Sequence, residues 1–168
     1  MKNKKFPFVL ILILILLVGC ASKTGVTAPS QEPGEPQQEP VDVAQDEPAE
    51  PTTTIEDCAA SLEELVKQAY DNYEITISDD KTSLLLYLWQ DGLATECYKA
   101  SKGIEPYASE WENIVNSMKE LSVNVQGFVD EAGHEEVSAA VVVRNDANLD
   151  AVLLMTNKGR VVLDAAGG

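Results

Sequence analysis

Apolar residues recur at two different spacings along residues 55–168, and each change of spacing predicts a change of secondary structure. In the first segment the apolar positions are three or four apart, as on one face of a helix. They are Ile55, Ala59, Leu62, Leu65, Val66, Ala69 and Tyr70. This spacing predicts a helix over about 55–71, and Thr53 with Glu56 fits a capping box at its start.

A hairpin is predicted next. Tyr73, Ile75 and Ile77 alternate with polar residues, as on a half-buried strand. A polar turn at 79–81 separates them from residues 83–90, where apolar side chains occupy both faces. The second strand is therefore expected in the middle of a sheet, paired with the first.

Two helices are predicted after the Asp91-Gly92 break. The short one covers about 93–102 and ends at Gly103, a residue that suits a helix C-terminus. The long one starts near Pro106 and reaches about 130, because its apolar residues keep helical spacing throughout. They are Trp111, Ile114, Val115, Met118, Leu121, Val125, Phe128 and Val129.

The last segment predicts three consecutive antiparallel strands. The stretches "VSAAVVVRN" (137–145), "DAVLLMTN" (150–157) and "RVVLDA" (160–165) are separated by a polar loop and by the tight turn at Lys158-Gly159. The whole order is αββ-αα-βββ. It predicts an α+β domain over 55–168, in which about three helices pack on an antiparallel β-sheet of about five strands.

The second strand of this sheet offers a candidate interaction face. Leu85, Tyr87 and Trp89 share the side opposite Leu84, Leu86 and Leu88. If the helices cover only one side of the sheet, the first three residues form an exposed apolar patch, and such patches mark interfaces. The favoured alternative is a sheet that helices cover on both sides, or one that is simply well buried.

The charge of the domain excludes two classes of partner. Residues 55–168 carry 8 basic and 21 acidic side chains, a net charge of 8 − 21 = −13. Nucleic acids and anionic lipid surfaces are bound by basic patches, so neither is an expected direct partner of the domain. A cationic protein partner fits the charge, as does a simple requirement for solubility.

The chain begins with a basic and then an apolar segment. Lys2, Lys4 and Lys5 precede eleven uninterrupted apolar residues at 8–18, which is too short for a membrane-spanning helix of about 20 residues. This pattern is typical of a secretory signal. The four residues Leu17-Val18-Gly19-Cys20 resemble the lipobox of bacterial lipoproteins.

The resemblance implies how the chain is anchored. The signal peptide would be residues 1–19, and Cys20 would carry a diacylglyceryl group as the first residue of the mature protein. The domain would then lie on the extracytoplasmic face of the cell membrane, held there by lipid on Cys20. Ala21 stands where an aspartate would resemble a signal for inner-membrane retention. The outer face of the plasma membrane of a single-membrane cell and an outer membrane both stay open, and the acidic spacer favours the former.

Residues 20–54 are expected to be a disordered linker. Their part from 22 to 54 holds six of the chain's eight prolines and seven acids but only one lysine. Such a segment cannot bury enough apolar surface to offset the entropy lost on ordering. As a flexible coil it would span roughly 30 Å, which is enough to hold the domain clear of lipid headgroups.

Two cysteines and one histidine are the remaining candidates for chemistry. Cys58 and Cys97 would either form a disulfide, as is common in exported proteins, or remain two buried thiols. His134 in "AGHEEV" lacks the second histidine of a zinc-protease motif, so no metal site is expected and it fits an exposed loop. Asp146, Asn148 and Asp150 depart from a calcium-loop pattern and fit a polar turn.

The sequence predicts a non-enzymatic binding domain that needs no cofactor. The partner would be an envelope protein, and a homodimer is a further option. The alternative is an accessory cell-envelope enzyme that uses a carboxylate or Cys/His site outside the known motifs.

Overall fold

The computed structural model describes residues 53–167, which form three helices and a five-stranded sheet. The helices are α1 (Ile55–Val66), α2 (Leu93–Ser101) and α3 (Tyr107–Glu131). The strands are β1 (Tyr73–Ile77), β2 (Ser83–Leu88), β3 (Ser138–Asn145), β4 (Asn148–Asn157) and β5 (Arg160–Asp164). The predicted α+β class and the numbers of helices and strands are confirmed. The signal peptide, Cys20 and the linker up to residue 52 lie outside the described residues.

The capping box of α1 lies one residue later than predicted. Thr54 is the N-cap: its hydroxyl accepts a hydrogen bond from the backbone N–H of Asp57 at 3.1 Å. The Asp57 carboxylate accepts in return from the backbone N–H of Thr54 at 3.3 Å. The pKa of Asp57 is lowered, first because its carboxylate also accepts a hydrogen bond from the Thr54 hydroxyl at 2.7 Å and then because it accepts from the Thr54 backbone N–H. The shorter aspartate side chain therefore performs the task that the sequence pattern assigned to Glu56.

The sheet is mixed rather than antiparallel, which corrects the predicted topology. Its strand order is β1-β2-β3-β4-β5, and every neighbouring pair is antiparallel except β2 and β3, which run parallel. A parallel pair needs a crossover connection, and α2 and α3 supply it. Helix α3 has 25 residues and a length of about 37 Å. It carries the chain back past the full length of the sheet, so β3 starts at the same end as β2.

All three helices pack on one side of the sheet. One hydrophobic core joins the buried residues of α1, α2 and α3 to Leu84, Leu86 and Leu88 of β2 and to Ala139, Val141 and Val143 of β3. The register pairs Leu84 with Ala139, Leu86 with Val141, and Leu88 with Val143, so these six side chains share one face. Helices do not cover both sides, because α2 and α3 stay on the face from which α1 also packs. The other form of that expectation, a sheet that is simply well buried, fits the centre of the second face, where Ala140 and Val142 are each 2% exposed.

The two ends of the sheet differ in what surrounds them. We call the end where β2 and β3 begin the lower end; it also holds the N-terminus of α1 and the C-terminus of α3, joined by a hydrogen bond from the Thr53 hydroxyl to the carbonyl of Ala132. We call the other end, where β2 and β3 finish, the upper end; it holds the start of α2. No helix within residues 53–167 is long and apolar enough to cross a membrane.

Candidate functional site

The side of the sheet that faces away from the helices is the candidate interaction surface, and we call it the open face. Strand register places two rows of side chains across all five strands on this side. One row is Glu74, Tyr87, Val142, Met155 and Leu163, and the other is Thr76, Leu85, Ala140, Asn157 and Arg160. The centre of the open face is therefore apolar, and polar side chains lie towards its margins.

The middle of the open face is buried, although no described helix packs on it. Ala140 and Val142 are each 2% exposed, although neither belongs to the core beneath the helices. Leu85, Tyr87 and Met155 beside them are half-buried, and Leu163 on the edge strand is 42% exposed. The centre of the open face is thus buried, and its accessible apolar surface belongs to the larger side chains around the centre.

A charged group closes one corner of the open face. The guanidinium of Arg144 lies 3.6 Å from the centre of the Tyr87 ring and pairs with the carboxylate of Glu74. Arg144 is itself only half-buried, so the contact between cation and ring adds about 1 kcal/mol at most. Arg144 thus covers one face of the Tyr87 ring at this corner.

The structure separates the three residues of the predicted interaction face. Leu85 and Tyr87 lie on the open face as expected. Trp89 follows the end of β2 and lines a cleft at the upper end of the sheet. The sequence prediction missed Val142, Met155 and Leu163. Alternation within 137–145 and 150–157 shows which residues of each strand share a face. It does not show which of those faces lies beside Tyr87, because that depends on the register between the strands.

The cleft at the upper end has an apolar floor. It has a volume of about 50 Å³ and opens between the end of β2, the segment from α1 to β1, and α3. Leu88, Ile114, Met118 and Val143 form the floor, and all four belong to the core. The cleft therefore lies at the carboxyl ends of the two parallel strands, where sheets with parallel strands commonly bind ligands.

Cys58 and Cys97 are free thiols in the structure and lie at opposite ends of α3. Cys58 is one turn into α1, beside the C-terminus of α3. Cys97 is near Asp164, which accepts a hydrogen bond from the indole of Trp111 at the other end of α3. Trp111 and Ala132 are about 31 Å apart along the helix. A disulfide requires Cα atoms within about 7 Å of each other. Because the two cysteines lie at opposite ends of α3, the structure supports two buried thiols and not a disulfide.

Neither thiol is suited to nucleophilic chemistry. Burial raises the pKa of Cys97 to about 11, with a further contribution from the Asp164 carboxylate. Burial also raises the pKa of Cys58. A reactive cysteine needs the opposite shift, because the thiolate is the nucleophile.

His134 is buried, which corrects the prediction of an exposed loop histidine. It is 5% exposed, and its Nε2 atom has no hydrogen-bond partner among the described residues. Its Nδ1 atom is 4.0 Å from the carboxylate of Glu136. The backbone explains the burial: His134 N–H donates to Val129 and the His134 carbonyl accepts from Val137, so the residue is part of the tight link from α3 to β3.

Asp146 caps helix α2 from another element. Its carboxylate accepts hydrogen bonds from the backbone N–H groups of Gly92 and Ala94, both at 2.7 Å. Desolvation raises the pKa of Asp146, but these two bonds outweigh it and the net pKa lies below its ordinary value. The turn at 145–148 is thus a polar turn, as predicted, with a capping role that the sequence pattern did not reveal.

Carboxylates elsewhere in the described part of the chain do not gather into a site. Within residues 53–167 no three His, Cys, Asp or Glu side chains are placed to hold a metal ion together. Glu96 is the one described carboxyl whose pKa is clearly raised, first by burial and then by Glu110. It does not line the cleft.

Comparison with known protein families, with curated proteins and with solved structures finds no match to this chain.

Proposed function

We propose that this protein is a lipid-anchored binding module of the bacterial cell envelope that recognises another protein through the open face of its sheet. The observation that carries the proposal is that all three helices pack on one side of the sheet. The half-buried and exposed apolar side chains on the helix-free face of this sheet can be buried further against a partner.

The anchor follows from the lipobox-like residues at 17–20. Two acyl chains on Cys20 would bury roughly 25 to 30 methylenes, which corresponds to about 20 kcal/mol against detachment. The linker then gives the domain reach without fixing its orientation. The domain would therefore search for partners near the extracytoplasmic membrane surface.

Charge favours a cationic protein over a second copy of the chain. Two copies of the domain would bring together two net charges of −13. Repulsion of this kind lowers the rate and strength of self-association at moderate salt, whereas a positively charged partner is attracted. A homodimer through the open face is thus the less favoured arrangement.

The second candidate, an accessory envelope enzyme, has less support. A Cys/His site would need a thiolate beside a base, but both thiols have raised pKa values and Cys97 lies at the other end of α3 from His134. A carboxylate site built on Glu96 would lack an adjoining cleft.

The first prediction concerns the anchor. Substitution Cys20→Ser should abolish incorporation of radiolabelled fatty acid and release the protein from the membrane fraction, because serine offers no thiol for the lipid. The Cys58→Ser variant is the matched control and should remain labelled. Label retained on the Cys20→Ser protein, or lost equally from both, would contradict the proposed anchor.

The second prediction concerns the open face. A photoreactive phenylalanine derivative at Tyr87 or at Leu163 should form a discrete adduct of higher mass in intact cells that express the full-length chain. The same residue at Glu120, which is exposed on the helix side, is the control and should form none. Gel mobility and mass spectrometry of the adduct measure both.

Each alternative result has a defined meaning. Adducts that are absent at both open-face positions, or equally strong at Glu120, would refute the open face as the binding surface. If the adduct contains only copies of this chain, the open face forms a homodimer rather than a complex with another protein.

A further inference from the structure

The cleft at the upper end of the sheet exposes the hydrophobic core. Its floor residues Leu88, Ile114, Met118 and Val143 are between 1% and 8% exposed, although they border open space. Trp89 stands at the side of the cleft and is half-buried. An apolar group that enters the cleft would therefore lose water on the side that faces the floor, and interface residues that contribute most to binding occupy apolar pockets.

The size of the cleft limits what can enter. Drug-sized ligands occupy pockets of roughly 300–1,000 Å³, and benzene occupies a cavity of about 150 Å³. A volume of about 50 Å³ accepts the end of one aliphatic side chain. The occupant is thus a side chain that belongs to a larger partner rather than a complete small molecule.

The rim of the cleft is polar and carries one acidic side chain, with a second acidic residue beside it in sequence. Asp71, Asn72 and Gln90 line it, and the exposed Asp91 follows directly in sequence. None of the ten residues that line the cleft is a lysine or an arginine. A segment that inserts an apolar side chain here would find favourable partners for positive charges on either side of it.

The same charges disfavour two other occupants. The chain's own linker carries seven acids and one lysine over residues 22–54, so it would be repelled by the rim. A second copy of the domain has a net charge of −13 and would be repelled as well. The small volume of the cleft and the negative charge at its rim therefore both favour a basic segment of a different protein as the occupant.

We infer that this cleft is an anchor site that receives one aliphatic side chain, flanked by lysine or arginine, from a partner protein. The inference rests on the proposed binding function and names the chemistry of the partner. Burial of the aliphatic side chain against the floor supplies affinity. The carboxylate of the rim favours segments whose flanking residues are basic.

Three short peptides test the inference on the full-length, lipidated chain in neutral detergent micelles. They are acetyl-Lys-Leu-Lys-amide, acetyl-Glu-Leu-Glu-amide and acetyl-Lys-Gly-Lys-amide. Methyl resonances of Ile114 and Met118 report on the cleft floor, and those of Leu84, buried at the lower end of β2, serve as the reference. The Lys-Leu-Lys peptide should shift Ile114 and Met118 saturably and leave Leu84 in place.

The other peptides separate burial from charge. The Lys-Gly-Lys peptide should leave the floor methyls unshifted because it has no apolar side chain. The Glu-Leu-Glu peptide should bind at least about tenfold more weakly, since its two charges oppose the rim. Equal binding of the leucine peptides, or equal shifts from Lys-Gly-Lys and Lys-Leu-Lys, would overturn the inference.

A pair of variants assigns the charge effect to the rim. Asp71→Asn should weaken the Lys-Leu-Lys peptide roughly threefold, which is the range of one exposed charge pair. Asp79→Asn makes the same change in the exposed turn at the lower end and should leave affinity unchanged. If both variants weakened peptide binding equally, the effect would come from general attraction to an acidic protein, and the cleft would not be the binding site.

Failure of this inference is distinguishable from failure of the proposed function. If the floor methyls never shift but the open-face adducts form in cells, the cleft is not an anchor and the binding function stands. If the floor methyls shift with protein concentration before any peptide is added, the occupant is a second copy and the inference is overturned.

Discussion

Gln126 is a polar residue on the buried side of α3, where the helical pattern otherwise places apolar residues. Its side chain donates to the carbonyl of Val137 at 3.0 Å and accepts from the backbone N–H of Ala139 at 2.9 Å. It thereby pairs two backbone groups at the start of β3 that would otherwise be buried without partners. One glutamine thus fixes the position at which the chain leaves the helix layer and enters the sheet.

Gln126→Leu should destabilise the fold by about 2–4 kcal/mol, because it leaves the N–H of Ala139 and the carbonyl of Val137 unpaired. Urea unfolding monitored by circular dichroism measures the change. Gln68→Leu, on the exposed segment after α1, is the control and should alter stability by no more than about 0.5 kcal/mol. A loss below about 1 kcal/mol for Gln126→Leu would mean that water replaces the glutamine.

At the scale of elements, α2 depends on a hairpin that follows it by more than forty residues. Its N-cap position is Gly92, which has no side chain to accept hydrogen bonds from the first helical turn. Asp146, in the turn between β3 and β4, supplies the missing acceptors. The hairpin therefore holds α2 against the upper end of the sheet, beside the cleft.

Asp146→Ala should lower the free energy of unfolding by about 1–2 kcal/mol at neutral pH, the range of a lost helix cap. Because the folded state lowers the pKa of Asp146, this contribution is present above the unfolded pKa of about 4 and disappears as the pH falls through the folded pKa. The difference between the wild type and the variant should thus shrink from pH 5 towards pH 2.

Denaturant unfolding at several pH values provides the measurement, and Asp150→Ala, on an exposed position of β4, provides the control. The control should match the wild type within about 0.5 kcal/mol at each pH. A penalty for Asp146→Ala that stays constant down to pH 2 would contradict a role for the ionised carboxylate.

At the scale of the whole molecule, α3 runs between the lower and the upper end of the sheet, and different residues lie at each end. The lower end holds Cys58 and His134, and the upper end holds Cys97, the start of α2 and the cleft. The same helix returns the chain to the lower end and so makes β2 and β3 parallel. One element therefore determines the topology of the sheet and keeps the two thiols apart.

The separation of the thiols predicts their reactivity. In the folded protein both should react with a thiol reagent at least about tenfold more slowly than in concentrated urea, since each is buried and has a raised pKa. Mass spectrometry after alkylation without reductant measures the outcome. On the unfolded chain with lipid on Cys20, two alkyl groups are expected, one on Cys58 and one on Cys97. If alkylation of these two cysteines required prior reduction, they would form a disulfide after all.

The sequence by itself determined the type, number and order of the helices and strands, although α1 ends at Val66 rather than near residue 71 and β2 ends at Leu88 rather than at residue 90. Periods of 3.6 and 2 residues arise within one helix or strand, so Trp111 to Val129 and Tyr73 to Ile77 revealed their elements without knowledge of the fold. The α+β class follows from that order. Alternation within β2 also placed Leu85 and Tyr87 on one side of the sheet, whereas it did not decide whether helices cover that side.

Only the tertiary structure decided how the elements meet. The parallel pairing of β2 with β3, the placement of all helices on one side, and the cap that Asp146 provides each join residues far apart in sequence. Such contacts depend on which packing buries the most apolar surface while every backbone group keeps a partner. No local pattern encodes that choice, since the central strands β2 and β3 are apolar on both sides and either side of them could receive the helices.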